Sequence, residues 1–132
     1  MTNRVVVRFA DGRVIKGSTA DFSPERRVFH LLPADAEARK TVEIAVNDLK
    51  ALFFVKEFAG NPTRVDSHDV SHVTPAMGRK VRVHFADGEV LTGTTQSYRP
   101  QRQGFFFVPA DPASNNDRCY IVNAAVAQVK LL

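Results

Sequence analysis

The 132-residue chain has a single cysteine, Cys119, which excludes an internal disulfide. No apolar run approaches the ~20 residues that a membrane-spanning helix needs. The opening stretch MTNRVVVRFADG lacks the succession of charged segment, apolar segment and small-residue cleavage site, so no secretory leader is expected. The expectation from these absences is a reduced, soluble, cytoplasmic protein that makes no membrane contact.

Charge of one sign is also scarce. There are 18 Lys+Arg against 14 Asp+Glu, a net charge of +4. Met1 to Asp66 carries 11 basic and 9 acidic residues, and Ser67 to Leu132 carries 7 and 5. No basic tail or one-sided cluster marks a dedicated nucleic-acid binder. Arg outnumbers Lys 12 to 6, which suits carboxylate or phosphate recognition and suits surface ion pairs equally well. No segment sustains a 3.6-residue period, and neither a Gly-rich phosphate loop nor a G-x-S-x-G elbow occurs. The 44% hydrophobic and 24% charged content still provides for a folded core.

What the chain does have is self-similarity. Arg4 to Asp35 aligns with Lys80 to Asp111 at a shift of 76 residues without a gap. The motif Phe-Ala-Asp-Gly at positions 9–12 returns at 85–88, and Gly17 returns as Gly93. Pro33-Ala34-Asp35 returns as Pro109-Ala110-Asp111. With one inserted residue, Val42 to Val55 matches Cys119 to Leu132 more loosely. The chain is a duplicated unit of roughly 55 residues.

Each unit reads as strands. Val5, Val7 and Phe9 alternate with Val6, Arg8 and Ala10, which is the period of a strand. Asp11-Gly12 supplies a hairpin turn. Gly17 and Gly93 fall inside the second strand pattern, where glycine marks a bend or a close approach. Val28 to Leu32 and Gly104 to Val108 are third strands. Val42, Ile44 and Val46 form a fourth, Asn47-Asp48 a turn, and Leu49 to Val55 a fifth. The fold expected is all-β, a tandem of two small, five-stranded, strongly bent barrels related by a pseudo-twofold. Residues 1–58 form the first, 59–79 a connector, and 80–132 the second.

The pattern VxVxFxDGxVxxGxTxxF resembles the first motif of the Sm-like small β-barrel, and related SH3-like barrels share it. The resemblance spans both copies and implies the barrel. It does not extend to the RNA site: the Asp that the family places six residues after the glycine is Ser23 in one copy and Arg99 in the other. The duplicated pattern is also similar to an uncharacterised bacterial domain family, found alone or attached to signalling modules, with no known activity.

Five groups of residues bear on function. His68 and His72 lie four apart in a polar connector without a third convincing ligand, so a solvated loop is expected there and no metal site. Cys119 aligns with Val42 and reads as a small buried hydrophobe. Asp11 and Asp87 read as turn formers. Phe53-Phe54 and Phe105-Phe106-Phe107 cannot each face a single core, because neighbouring strand residues point to opposite sides. Something covers the outer face, most economically the other repeat, or else a partner or second copy. The loops Phe22-Ser23-Pro24-Glu25-Arg26-Arg27 and Tyr98-Arg99-Pro100-Gln101-Arg102-Gln103 set arginines beside an aromatic on a proline-braced turn. Phe22, Arg26, Arg27, Tyr98, Arg99 and Arg102 are the candidate ligand-binding residues, suited to stacking a base and holding a phosphate. Arg4, Arg8 and Asp21-Phe22-Ser23 also resemble the RxxxR and DxSxxG elements of PilZ cyclic-dinucleotide receptors, although position 26 is Arg where that motif has Gly. The reading is a non-enzymatic binding or regulatory module without catalytic residues or cofactor, working through a protein partner or self-association. Binding of RNA or a cyclic nucleotide at the arginine loops is the alternative.

Overall fold

Alternating side chains decide where the chain is strand. The computed structural model describes residues 3–35, 40–59 and 66–132. Val5, Val7 and Phe9 point into one core from β1 (Asn3–Phe9), and Gly12 then closes a tight hairpin at φ +98°. β2 (Val14–Thr19), β3 (Val28–Pro33), β4 (Val42–Ala45) and β5 (Leu49–Val55) follow. A short 3-10 helix, Val46–Asp48, separates the last two. The second set repeats this order as β6 (Arg79–Phe85), β7 (Val90–Thr95), β8 (Gly104–Pro109), β9 (Asn116–Val122) and β10 (Val126–Leu131). Gly88 repeats the positive φ, at +97°.

Registers repeat as well. Val5↔Gly17 recurs as Val81↔Gly93, and His30↔Glu43 recurs as Phe106↔Tyr120. Gly17 and Gly93 are needed for close approach and not for a special φ. A Cβ at Gly93 would run into the Val108 carbonyl and lie 2.6 Å from the Phe107 ring. One at Gly17 would meet the Leu32 carbonyl.

The ten strands of the described residues belong to one antiparallel sheet, ordered β10-β6-β7-β8-β9-β5-β1-β2-β3-β4. The all-β expectation therefore stands, whereas the expected pseudo-twofold does not describe what is seen. The sheet runs open from β10 to β4. The central joint pairs β5 with β9, in the register Ala51↔Ile121, Leu52↔Tyr120 and Phe53↔Cys119. A twofold would pair like strands, whereas here the fifth strand of one set meets the fourth of the other.

The joint explains the doubly apolar runs. Leu52 and Phe54 face a first core with Val5, Val7, Phe29 and Leu31, while Ala51, Phe53 and Val55 face a second with Val81, Val83, Phe105 and Phe107. Tyr120, Val122 and Phe106 cross into the first core. Each repeat thus covers the outer face of the other. Residues 60–65 of the expected connector lie outside the described residues. The rest of it, 66–78, includes a 3-10 turn at Pro75–Met77, and β6 begins at Arg79, inside the expected connector span. Among the described residues no helix is long and apolar enough to cross a membrane.

Candidate functional site

The β2–β3 loop turns because Arg26 N–H donates to the Ser23 carbonyl at 3.1 Å. Its counterpart in the second set uses Arg102 N–H to the Arg99 carbonyl at 3.2 Å. Phe22 points inward. Its ring meets Phe29, Phe54 and Tyr120 edge-on, at centroid distances of 5.3, 6.0 and 5.0 Å. Tyr98 packs edge-on against Phe105 at 4.9 Å. Both rings thus serve the cores, where apolar contact outweighs anything a solvent-facing pose offers. The expected stacking platform is not on the surface.

The arginines do stay on the surface: Arg26, Arg27, Arg99 and Arg102 are all exposed. One residue that sequence reasoning missed ties their two loops together, and another braces the second loop. The Gln103 amide Nε2 donates to both the Pro24 and Arg26 carbonyls at 2.8 Å. Asn123 Nδ2 donates to the Arg99 and Arg102 carbonyls at 3.0 and 2.9 Å. Arg118, also exposed, lies over the Phe54 and Phe106 rings at 4.3 and 5.0 Å, on the same strand face as Tyr120. The signal that marks these positions is departure from the repeat. Gln103 stands where the first copy has Arg27, and Asn123 where it has Val46.

Two acids belong to this rim, the exposed Glu25 in the loop and Asp21 just before it. Asp21 is the more tightly held. It accepts from the His30 backbone N–H at 2.9 Å, and the His30 ring nitrogen Nδ1 lies 2.7 Å away. Those two bonds, the backbone one foremost, hold its carboxyl below the ordinary aspartate range. Arg26 approaches Asp21 at 3.7 Å, too far and too exposed for a strong pair.

A second concavity, a cleft of about 300 Å³, includes Arg8, Asp66, His68, Thr92, Asp111 and Cys119 in its lining. His68 Nδ1 lies 2.6 Å from the Thr92 hydroxyl, and Asp111 accepts from the Ser67 and Ala113 backbone N–H groups at 2.9 Å. Cys119 is fully buried, and burial pushes its thiol far up from its ordinary range. A neutral, enclosed thiol is a poor nucleophile. Among the described residues no three His, Cys, Asp or Glu side chains gather as a metal would require. Asp11 and Asp87 each accept the backbone N–H two residues on, as turn formers do. Asp87 has a further role, since its Oδ2 lies 2.6 Å from the buried Lys50 ammonium, which also reaches Glu89.

The chain belongs to a family of unknown function (DUF6982), matched over residues 1–132. No curated protein and no solved structure matches it.

Proposed function

We propose that this member of the family is a non-enzymatic binding module whose contact surface is the arginine rim, and whose ligand is an acidic segment of a partner protein. The observation that carries the reading is the Gln103 side chain, bonded to two carbonyls of the β2–β3 loop. It tethers one arginine pair to the other before any ligand arrives, which lowers the ordering cost of binding. Guanidinium groups suit carboxylates in a bidentate fork. A nucleobase finds less here, because Phe22 and Tyr98 are committed to the cores. The repeated strand order, the Asp-Gly turns and the close-approach glycines support reading each five-strand set as an opened-out relative of the Sm-like or SH3-like barrel. Work in the cytoplasm, without cofactor or catalysis, belongs to the same reading.

The test is titration of the wild type and an Arg26→Ala/Arg102→Ala variant with a labelled acidic peptide, single-stranded RNA and a cyclic dinucleotide. The expected result is peptide binding that weakens with salt and falls about tenfold in the variant. Preference for RNA or the dinucleotide would return the nucleotide reading. Absence of all binding at low salt would retire the rim.

A further inference from the structure

Among the described residues, two strands of the sheet have a neighbour on one side only, β4 at one end and β10 at the other. In the middle, β5 pairs with β9, the fifth strand of the first set with the fourth of the second. β10 is the fifth strand of the second set and β4 the fourth of the first. The two open edges are therefore the same two kinds of strand that already meet inside the chain. We propose that the protein associates with copies of itself head to tail, with β10 of one copy pairing antiparallel with β4 of the next in the register of the internal joint.

Carried to the ends by the 77-residue shift, Leu52↔Tyr120 becomes Val129↔Glu43, and Phe53↔Cys119 becomes Lys130↔Val42. In each pair one residue has turned polar, Tyr120 to Glu43 and Phe53 to Lys130, and its partner is a valine. Inside the chain Phe22 packs against Phe106 and Tyr120, at 6.4 and 5.0 Å. At the ends the counterparts are Tyr98 on one copy, and His30 with its cross-strand neighbour Glu43 on the next. The phenol of Tyr98 is a donor suited to the Glu43 carboxylate. Gln103 donates to Pro24 and Arg26, and its counterpart Arg27 carries donors suited to the Pro100 and Arg102 carbonyls of a neighbour. Three of the exposed large apolar side chains also lie at these edges: Val42, Leu131 and Leu132, at 39%, 51% and 47% exposure. An open edge with apolar side chains is a template for strand addition.

The outer joint is the weaker of the two. Where Lys50 clamps Asp87 and Glu89 inside, the ends offer Ala127 opposite Asp11 and Arg13. Association is thus reversible and rises with concentration. Because unlike edges meet, it builds a ring or an open row and not a closed twofold dimer. It does not depend on the arginine rim binding anything.

The experiment measures the mass of the full chain by light scattering from about 1 μM to about 1 mM, the range over which a weak joint fills. The expected result is a weight-average mass that climbs above 14.6 kDa. Val42→Asp and Leu131→Asp each spoil one edge at an exposed position and should each stay at the single-chain mass. Mixed in equal amounts, they retain one good β10 and one good β4, and should form a complex of twice 14.6 kDa. A wild type that stays at 14.6 kDa throughout overturns the proposal whatever the variants do. So does a wild type that associates while the mixed variants do not, since that places the contact elsewhere.

Discussion

β5 and β10 hold the same place in the two strand sets and have opposite surroundings. Every residue of β5 is buried, whereas β10 buries none fully and leaves Ala127, Gln128, Lys130 and Leu131 exposed. β5 lies between β1 and β9 and serves a core on each face; among the described residues β10 has only β6 beside it. The inward residues are alike, Leu52 against Val129. The outward ones are not, since Phe53 answers to Lys130 and Ala51 to Gln128. What the repeats share specifies the local strand order. Where they differ specifies which edge is taken up by the joint.

β9 and β4 permit the sharpest break of that comparison. Tyr120 is buried at 1% exposure beside Phe22 and Phe106, while its counterpart Glu43 is exposed. Tyr120→Ala is expected to cost about 4 kcal/mol, in line with loss of a buried aromatic. Glu43→Ala is expected to stay within about 0.5 kcal/mol. Urea midpoints with matched slopes measure both. Because β5 and β9 contribute to both cores, the Tyr120 variant should still melt in one transition. Two separable transitions would mean that the repeats are independent.

Much of this was legible beforehand, for local reasons. The alternation at Val5, Val7 and Phe9, the Asp-Gly turns and the repeated Gly17/Gly93 depend on residues close in sequence. Phe105-Phe106-Phe107 declared that both strand faces are covered. The identity of the covering strands was not legible, because β5 and β9 meet across about 70 residues and nothing local fixes that register. The candidate site was half legible. The four arginines are where a rim needs them, but an aromatic that follows a strand into a tight turn can face out or in. Core packing at Phe29 and Phe105 turned both rings in. Lys50, Gln103 and Asn123 went unread because they do not repeat, and that failure to repeat is the mark of the joint.

The next test down in size compares the two bending glycines. At Gly93 a side chain meets both the Val108 backbone and the Phe107 ring. At Gly17 the three nearest atoms all belong to the Leu32–Pro33 backbone, with the Leu32 carbonyl carbon and Pro33 Cα at 3.0 Å. Gly93→Val is expected to cost about 3 kcal/mol and Gly17→Val about 2 kcal/mol, both from forced displacement of packed neighbours. Thermal midpoints should fall in that order. Equal falls would show that the ring yields freely and that the backbone alone sets the cost.

The smallest effect concerns the two Asp-Gly turns and pH. Asp87 is held below its ordinary range first by the hydrogen bond from the Lys50 ammonium, then by the Glu89 backbone N–H. Asp11 is lowered chiefly by the backbone N–H of Arg13, only two residues away. The Lys50 contact spans 37 residues, so unfolding breaks it. A carboxyl whose folded pKa is depressed contributes stability that is fully present above the unfolded value of about 3.9 and is lost as pH falls through the lower folded value. The Asp87 side chain is half exposed, so solvent screens the pair, and Lys50→Met should cost about 0.5 kcal/mol at pH 7. Its clearer signature is the acid limb. The drop in urea midpoint between pH 7 and pH 3 should shrink in Lys50→Met, because there is less Asp87 stabilisation left to lose. Arg13→Met should leave that drop nearly unchanged, since its contact with Asp11 is local and the side chains at that end are open to water. If both variants altered the acid limb alike, the Lys50 clamp would not distinguish the joint from the free end.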